Sequence, residues 1–290
     1  MIPYDRIVLL GFGGPEARED VRPFLGRVLK GRNVPPERVE SVALHYEEIG
    51  GTSPFNAWTR LQAAGLGARL RELGSAAPVE AAYLYAEPYA SELAHRIEGE
   101  RVLAIVLASF QSPASWDRYK VLPNARYAPP IVEHPLFVRA YAERLRQTLP
   151  DLTPGVPPHA IFTAHSIPKS MADASPYAAQ FEACAGAIAA AAGVSSWEIA
   201  YQSRSGSPND PWLEPDIRET VEQLPQRGIR EVVAVPIGFL CDHVEVLYDL
   251  DVDASRIASE AGVRFVRAPA LNDHPLFIDL LADLVVRCAA

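Results

Sequence analysis

Three cysteines in 290 residues, Cys184, Cys241 and Cys288, lie far apart, and no C-x-x-C occurs in the chain. A disulfide framework and a cysteine-ligated cluster are therefore unsupported. Basic residues are also scarce: 27 Lys and Arg against 36 Asp and Glu leave a formal net charge of −9. Neutralising phosphates needs a basic surface, so no nucleic-acid partner is expected. No uninterrupted apolar run approaches the roughly 20 residues that a transmembrane segment needs. The opening Met1-Ile2-Pro3-Tyr4-Asp5-Arg6 lacks a basic region followed by a long apolar run and does not read as a signal peptide. No G-x-S-x-G elbow is present, which removes the usual serine-hydrolase signature. The loop Gly11-Phe12-Gly13-Gly14-Pro15-Glu16 also fails as a dinucleotide fingerprint, because Glu16 stands where the last glycine belongs and Pro15 interrupts the turn. What remains is 49% hydrophobic and 22% charged, the composition of an acidic globular protein, expected to be soluble and cytoplasmic.

What the chain does have is order. Short runs rich in Val, Ile and Leu read as buried strands at Arg6–Gly11, Val79–Tyr85, Val102–Ala108, Ala160–Ala164, Glu198–Gln202, Val232–Ile237 and Arg264–Arg267. Helical spacing fills the gaps, as in Ala57–Leu73, Phe137–Leu149, Ala178–Ala192 and Pro215–Leu224. Continuous apolar strands alternating with helices predict parallel sheets covered on both faces.

The two halves also match each other. Arg101–Phe110 overlays Arg230–Phe239 at an offset of 129, and His134-Pro135-Leu136-Phe137 recurs as His274-Pro275-Leu276-Phe277 at an offset of 140. Each of these copies opens a helix, with Pro in the first turn where its missing N–H costs nothing. The growth in offset places extra residues after Phe239, in the second half. At about 150 residues per domain the length also suggests two domains. The prediction is an α/β protein of two similar Rossmann-like halves, each a parallel sheet of about four strands flanked by helices. The Pro-rich stretch 123–130 places the boundary, giving domains 1–128 and 129–274, with the helix 275–290 packing back on the first.

Ligands of doubly wound sheets sit beyond the carboxyl ends of the strands. After the first strand, the glycine loop can bring its backbone against a flat ligand, with Phe12 lying on it; a tight turn with Phe12 in the core reads equally well. His165, in Ala164-His165-Ser166-Ile167-Pro168, stands at the end of a strand, although a lone histidine is more often a hydrogen-bonded structural residue. The extra segment Asp242–Asp253 carries Glu245, Asp249 and Asp253 at i, i+4 and i+8, which a helix would stack on one face. Asp242-x-x-Glu245 reads as a capping box, which accounts for Glu245 but not for Asp249 or Asp253. Carboxylates leading toward an imidazole suit a divalent cation: Fe(II), Zn(II), Co(II) or Mg(II). A solvated acidic face is the plainer alternative.

Five motifs in order resemble the ferrochelatase family along nearly the whole chain. They are Leu10-Gly11-Phe12-Gly13-Gly14-Pro15-Glu16, Ile49-Gly50-Gly51-Thr52-Ser53-Pro54, Ala164-His165-Ser166-Ile167-Pro168, Gln202-Ser203-Arg204 with Pro211-Trp212-Leu213, and Asp242-His243-Val244-Glu245-Val246-Leu247-Tyr248-Asp249. The resemblance implies a type II chelatase fold and insertion of Fe(II), as substrate, into a porphyrin lying in a cleft between the halves. It maps the catalytic pair onto His165 and Glu245, each able to hold metal or accept a pyrrole proton, with Asp249 and Asp253 as outer metal steps. On the porphyrin side it maps Phe12, Lys30, His45, Tyr46, Ser53 and Tyr119. It also implies transient contact with the preceding haem-pathway enzyme.

Departures from the family pattern carry their own expectations. Relatives using coproporphyrin often have a tyrosine at position 12 and arginines near 30 and 45. Phe12 and His45 therefore lean the reading toward protoporphyrin IX over coproporphyrin III. The stretch 121–135 is shorter than usual. Some relatives hold a [2Fe–2S] cluster near the C-terminus, where this chain has only Cys288, so no cofactor beyond the iron substrate is expected. The competing readings are a chelatase for another metal or tetrapyrrole, and a non-catalytic haem or porphyrin carrier on the same fold.

Overall fold

Successive side chains of the first strand, β1 (Arg6–Gly11), enter different cores: Ile7 and Leu9 join one apolar cluster, Val8 and Leu10 another, and all four are fully buried. A strand buried on both faces must be apolar at every position, which is why these strands were legible as continuous runs. The computed structural model describes residues 2–31, 35–205 and 210–289.

The first half contains α1 (Val21–Val28), α2 (Pro36–Glu48), α3 (Phe55–Glu72), β2 (Val79–Tyr83), α4 (Ala90–Arg96), β3 (Val102–Val106), β4 (Arg126–Tyr127) and α5 (Pro135–Thr148). The second contains β5 (His159–His165), α6 (Lys169–Asp173), α7 (Tyr177–Ala192), β6 (Ser196–Gln202), α8 (Ile217–Gln223) and β7 (Glu231–Val235). After β7 come α9 (Val244–Val246), a π-helical stretch (Leu247–Ala254), α10 (Ser255–Glu260), β8 (Arg264–Arg267) and α11 (Pro275–Ala289). The strands form two four-stranded parallel sheets, ordered β2-β1-β3-β4 and β6-β5-β7-β8. The strand order repeats from one sheet to the other, as the internal match implies. No described helix is long and apolar enough to cross a membrane.

Element ends differ from the sequence reading for local reasons. β7 stops at Val235 because Pro236 has no N–H to donate. β2 and β3 end at Tyr83 and Val106, although Leu84 still donates to the Gly11 carbonyl beyond the strand. β4 lies in the Pro-rich stretch and is two residues long, too short to leave a pattern. α8 begins at Ile217 rather than Pro215, because the Asp216 carboxylate accepts the Arg218 N–H and caps the helix there.

The repeated His-Pro-Leu-Phe motif proves to be a reciprocal clasp. His134 Nδ1 accepts the Leu136 N–H at the start of α5, and His274 Nδ1 accepts the Leu276 N–H at the start of α11. The far nitrogen of each ring faces a carboxylate on the other helix: His134 reaches Asp283 at 2.6 Å and His274 reaches Glu143 at 3.9 Å. α11 packs against both α5 and α3. A single apolar cluster runs from Ile7 and Leu9 through Phe137, Tyr141 and Phe277 to Phe162 and Val233, so one core backs both sheets.

Gly238 is where the second half folds tightly over its own sheet. Its N–H donates to the Thr163 carbonyl at 2.9 Å, and a Cβ there would lie 2.5 Å from the Ala164 Cα. Backbone cannot yield as a side-chain tip can. Gly238→Ala should therefore destabilise the protein by about 1–3 kcal/mol, the usual range for overpacking, read as a lowered thermal midpoint. An unchanged midpoint would contradict this packing.

Candidate active site

In both sheets the strand order reverses between the first and third strands, and the crevice at such a switch point opens at the strands' carboxyl ends. β5 pairs with β7 only as far as Phe162, opposite Val235, and then continues to His165 paired with β6 alone. His165 thus ends in the crevice. Its backbone is fixed from two sides: the Tyr177 hydroxyl donates to its carbonyl at 2.9 Å, and the Ser166 N–H donates to the Gln202 carbonyl at 2.7 Å.

β7 leads to the other half of the site. Past Gly238, His243 adopts extended backbone and its Nδ1 accepts the Glu245 N–H at 3.1 Å, capping α9. The capping-box expectation for Asp242 is corrected here. The Asp242 carboxylate is occupied by Arg267 at 2.9 Å, Asn272 at 2.8 Å and the Ala270 N–H at 3.2 Å. The Gln202 amide donates to the Glu245 carbonyl at 2.7 Å, tying α9 to the end of β6.

The expected stack of three carboxylates on an α-helix is also revised. From Leu247 to Ala254 the chain is π-helical, and the Ser255 N–H reaches back to the Leu250 carbonyl. Each π turn takes in an extra residue, so positions four apart fall short of a full turn. Asp249 bonds the Ser203 hydroxyl and lies 3.4 Å from the Gln202 amide, whereas Asp253 pairs with Arg256 at 2.9 Å. Ser203 holds a left-handed φ of 62° to make its contact.

His165 Nε2 and Glu245 Oε1 face each other at 3.6 Å. Their side chains keep 30% and 41% exposure, so the pair is reached from solvent although protein surrounds much of it. The His165 Nδ1 lies against the Ser166 carbonyl, an acceptor, which requires a proton on Nδ1. In the neutral ring Nε2 is then a lone pair aimed at a carboxylate. Two acceptors in opposition call for a positive charge between them.

The local electrostatics agree. Burial by itself lowers the His165 pKa, but the adjacent Glu245 carboxylate outweighs it and the value is raised. Burial opposes ionisation of Glu245, yet His165 and His243 hold its pKa down to about 2. Burial, with the Glu245 charge nearby, pushes Asp249 up to about 7 despite the Ser203 hydroxyl. His243 is lowered, chiefly by burial.

The residues expected on the porphyrin side divide. Phe12 is half-buried, 4.7 Å from the Tyr85 ring and 6.2 Å from Phe24, forming an apolar wall. Tyr46 and Tyr119 are buried, their hydroxyl pKa values raised by desolvation and by the Glu245 charge within range. Ser53 is buried and accepts the Phe55 N–H at 3.3 Å, a helix-starting role. His45 stacks flat on Tyr248, centroids 3.6 Å apart, and burial and Arg38 lower its pKa. Lys30 is exposed just before the undescribed residues 32–34. The structure thus gathers His165, Glu245 and Asp249, leaves Asp253 with Arg256, and places Lys30 on the surface. Gln202, Ser203 and His243 were not given site roles from sequence; the glycine-like backbone at Ser203 appears only in three dimensions. Among the described residues no group of three His, Cys, Asp or Glu side chains is set to hold a metal ion.

A family model described as ferrochelatase matches residues 4–289. The chain is 36% identical to a ferrochelatase of Rhodopirellula baltica, covering 98% of this chain and 86% of that one. It is 37% identical to a coproporphyrin III ferrochelatase of Propionibacterium freudenreichii, covering 99% and 88%. Among solved structures it resembles CbiX, the terminal enzyme of sirohaem biosynthesis in denitrifying bacteria, with a TM-score of 0.58 and 15% identity over 98% of this chain and 99% of that one. That likeness concerns the fold, the type II chelatase architecture.

The opposed acceptors generate a prediction with a definite sign. A histidine whose folded pKa is raised adds stability below its unfolded value of about 6.5, lost as pH rises through the folded value. Glu245, depressed to about 2, adds stability above its ordinary value, lost as pH falls toward the depressed one. Glu245→Gln should lower the His165 pKa, because burial is then opposed only by the Ser166 carbonyl and the Asp249 charge. NMR titration of the ring protons reads this, and an unmoved value would show that the pair is not coupled.

Proposed function

Because this chain belongs to the ferrochelatase family, enzymes that insert Fe(II) into a porphyrin in haem biosynthesis, we propose that His165 and Glu245 carry that insertion here. The observation that supports the pairing is the 3.6 Å approach of His165 Nε2 to Glu245 Oε1 with no proton due between them in the neutral ring. Bonds of about 2.0–2.2 Å from imidazole and carboxylate to a divalent metal fit within such a span. The same two atoms can take a proton instead. Insertion releases two pyrrole protons as two nitrogen lone pairs close on iron, and the pair supplies acceptors where those protons leave. Imidazolium can neither accept a proton nor hold a cation, so turnover should rise with pH as His165 loses its proton. Asp249 titrates near pH 7 in the same direction, gaining charge that favours Fe(II) near the pair. Asp253 would meet the ion further out, once Arg256 lets go of its carboxylate.

For the porphyrin we favour coproporphyrin III, against the lean toward protoporphyrin IX taken from Phe12 and His45. A relative matched along almost its whole length bears that substrate in its name. Coproporphyrin III carries more propionates, and the α1–α2 layer carries the cations Lys30 and Arg38, with Arg38 reaching the Arg204 carbonyl at 3.4 Å. His45, its pKa lowered by burial, would donate a hydrogen bond rather than a charge. Phe12 and Tyr85 would line the macrocycle's face, and Tyr46 and Tyr119 would bound it. Action in the cytoplasm, and delivery of the porphyrin by the preceding enzyme, belong to the same reading, which needs no group beyond the iron substrate.

The test is anaerobic mixing of protein, Fe(II) and each porphyrin, followed by absorbance. His165→Ala and Glu245→Gln should each lower the insertion rate by at least about 100-fold, the lower end of general acid–base contributions, with porphyrin affinity within a few-fold of the parent. Parent-like turnover in either variant would reject the assignment. Faster metallation of protoporphyrin IX than of coproporphyrin III would reverse the substrate choice.

A further inference from the structure

The segment that carries His243, Glu245 and Asp249 is bracketed by two acids that the insertion chemistry does not use, Asp242 before it and Asp251 within it. Both are held by one side chain. Arg267, at the end of β8, donates from Nε to Asp251 Oδ1 at 2.6 Å and from Nη2 to Asp251 Oδ2 at 2.9 Å. Its Nη1 donates to Asp242 Oδ1 at 2.9 Å and to the Ala268 carbonyl at 3.2 Å. The guanidinium is 14% exposed, Asp242 12% and Asp251 39%. Asp242 is fixed further by Asn272, which donates to Oδ2 at 2.8 Å and accepts the Asp242 N–H at 2.8 Å. The Asn272 carbonyl in turn accepts from Gln62 of α3 at 2.8 Å, so the clamp is anchored in the first half of the chain.

We propose that Arg267 is a positioning residue for iron insertion: by gripping Asp242 and Asp251 together it sets where Glu245 and Asp249 stand relative to His165. A π-helix is a loosely bonded element that neighbouring contacts must hold in register. A planar fork can hold one carboxylate through two parallel bonds while a third nitrogen holds another, and a lysine's point charge cannot. Releasing the clamp would let the Glu245 carboxylate drift from Nε2 while leaving the porphyrin walls, which lie on other elements, in place. The inference rests on the assignment of His165 and Glu245 above.

The experiment measures apparent KM for Fe(II), KM for whichever porphyrin the parent metallates, and kcat, under anaerobic conditions. Arg267→Met should raise the Fe(II) KM and lower kcat/KM for iron by about 10–100-fold, the range for residues that orient metal ligands. Porphyrin KM should stay within about twofold, and Arg267→Lys should recover only part of the loss. Because Arg267→Met strands two carboxylates and can fail to fold, Asp251→Asn is the deciding variant: the altered side chain is itself 39% exposed, and Arg267 keeps Asp242 as its counter-ion, so no buried charge is left unpaired. It should raise the Fe(II) KM by about three- to tenfold, with an unchanged thermal midpoint. A purely structural role would lower kcat through a smaller active fraction and leave both KM values alone; that pattern, or a parent-like Fe(II) KM in Asp251→Asn, overturns the proposal. Glu245→Gln in the same series separates the two readings: if it turns over normally the site assignment has failed, and if it is inactive while Asp251→Asn is normal only the Arg267 inference has.

Discussion

Two acceptors pointed at each other across 3.6 Å are unfavourable unless something positive comes between them, and this chain builds that situation where its second sheet opens. The imidazole cannot escape by turning its proton toward the acid, because Nδ1 faces a carbonyl that demands it. The carboxylate cannot escape by protonation, since its neighbours depress its pKa. A proton resolves the conflict, and a divalent cation would do so too. An enzyme that exchanges protons for a metal needs a place that welcomes both.

Holding that arrangement falls to backbone more than to side chains. The close passage of Gly238 over Ala164 and the Ser166 N–H bond to the Gln202 carbonyl lock the ends of β5, β6 and β7 to one another, and the Gln202 side-chain amide adds a bond to the Glu245 carbonyl. Backbone contacts of this kind are short and cannot rotate away, so the separation of the two groups is inherited from the sheet. Asp249, further out in its π-helical setting, is held by the Ser203 hydroxyl, and burial pushes its pKa up to about 7.

The fold was largely legible because parallel strands buried on both faces must be apolar throughout, and because the duplication repeated each signal. The His-Pro-Leu-Phe repeat showed where two helices begin; that its histidines reach across to each other's helix depends on packing no local pattern records. His165 and Glu245 were singled out from motifs following strands, and the structure sets their side chains 3.6 Å apart. The cap was misread because Asp242 has partners at 267, 270 and 272, whose claim on its carboxylate lies outside the local window. The π-helix was invisible because an extra residue per turn leaves composition and spacing unchanged. Ser203 escaped for a related reason: a left-handed backbone at a serine is imposed by its surroundings, not announced by its residue type.

The stack of His45 on Tyr248 joins the α1–α2 layer of the first half to the π-helical segment of the second, helped by the contact of Arg38 with the Arg204 carbonyl and by Val244 against Phe24 and its neighbours. One ring pair of this kind contributes about 0.5–1.5 kcal/mol beyond its buried area. Opposite it, the shared apolar cluster running from β1 through α5 and α11 to β5 joins the halves along their backs with dozens of buried groups. The halves are therefore joined along their backs by far more buried apolar surface than the single ring pair contributes.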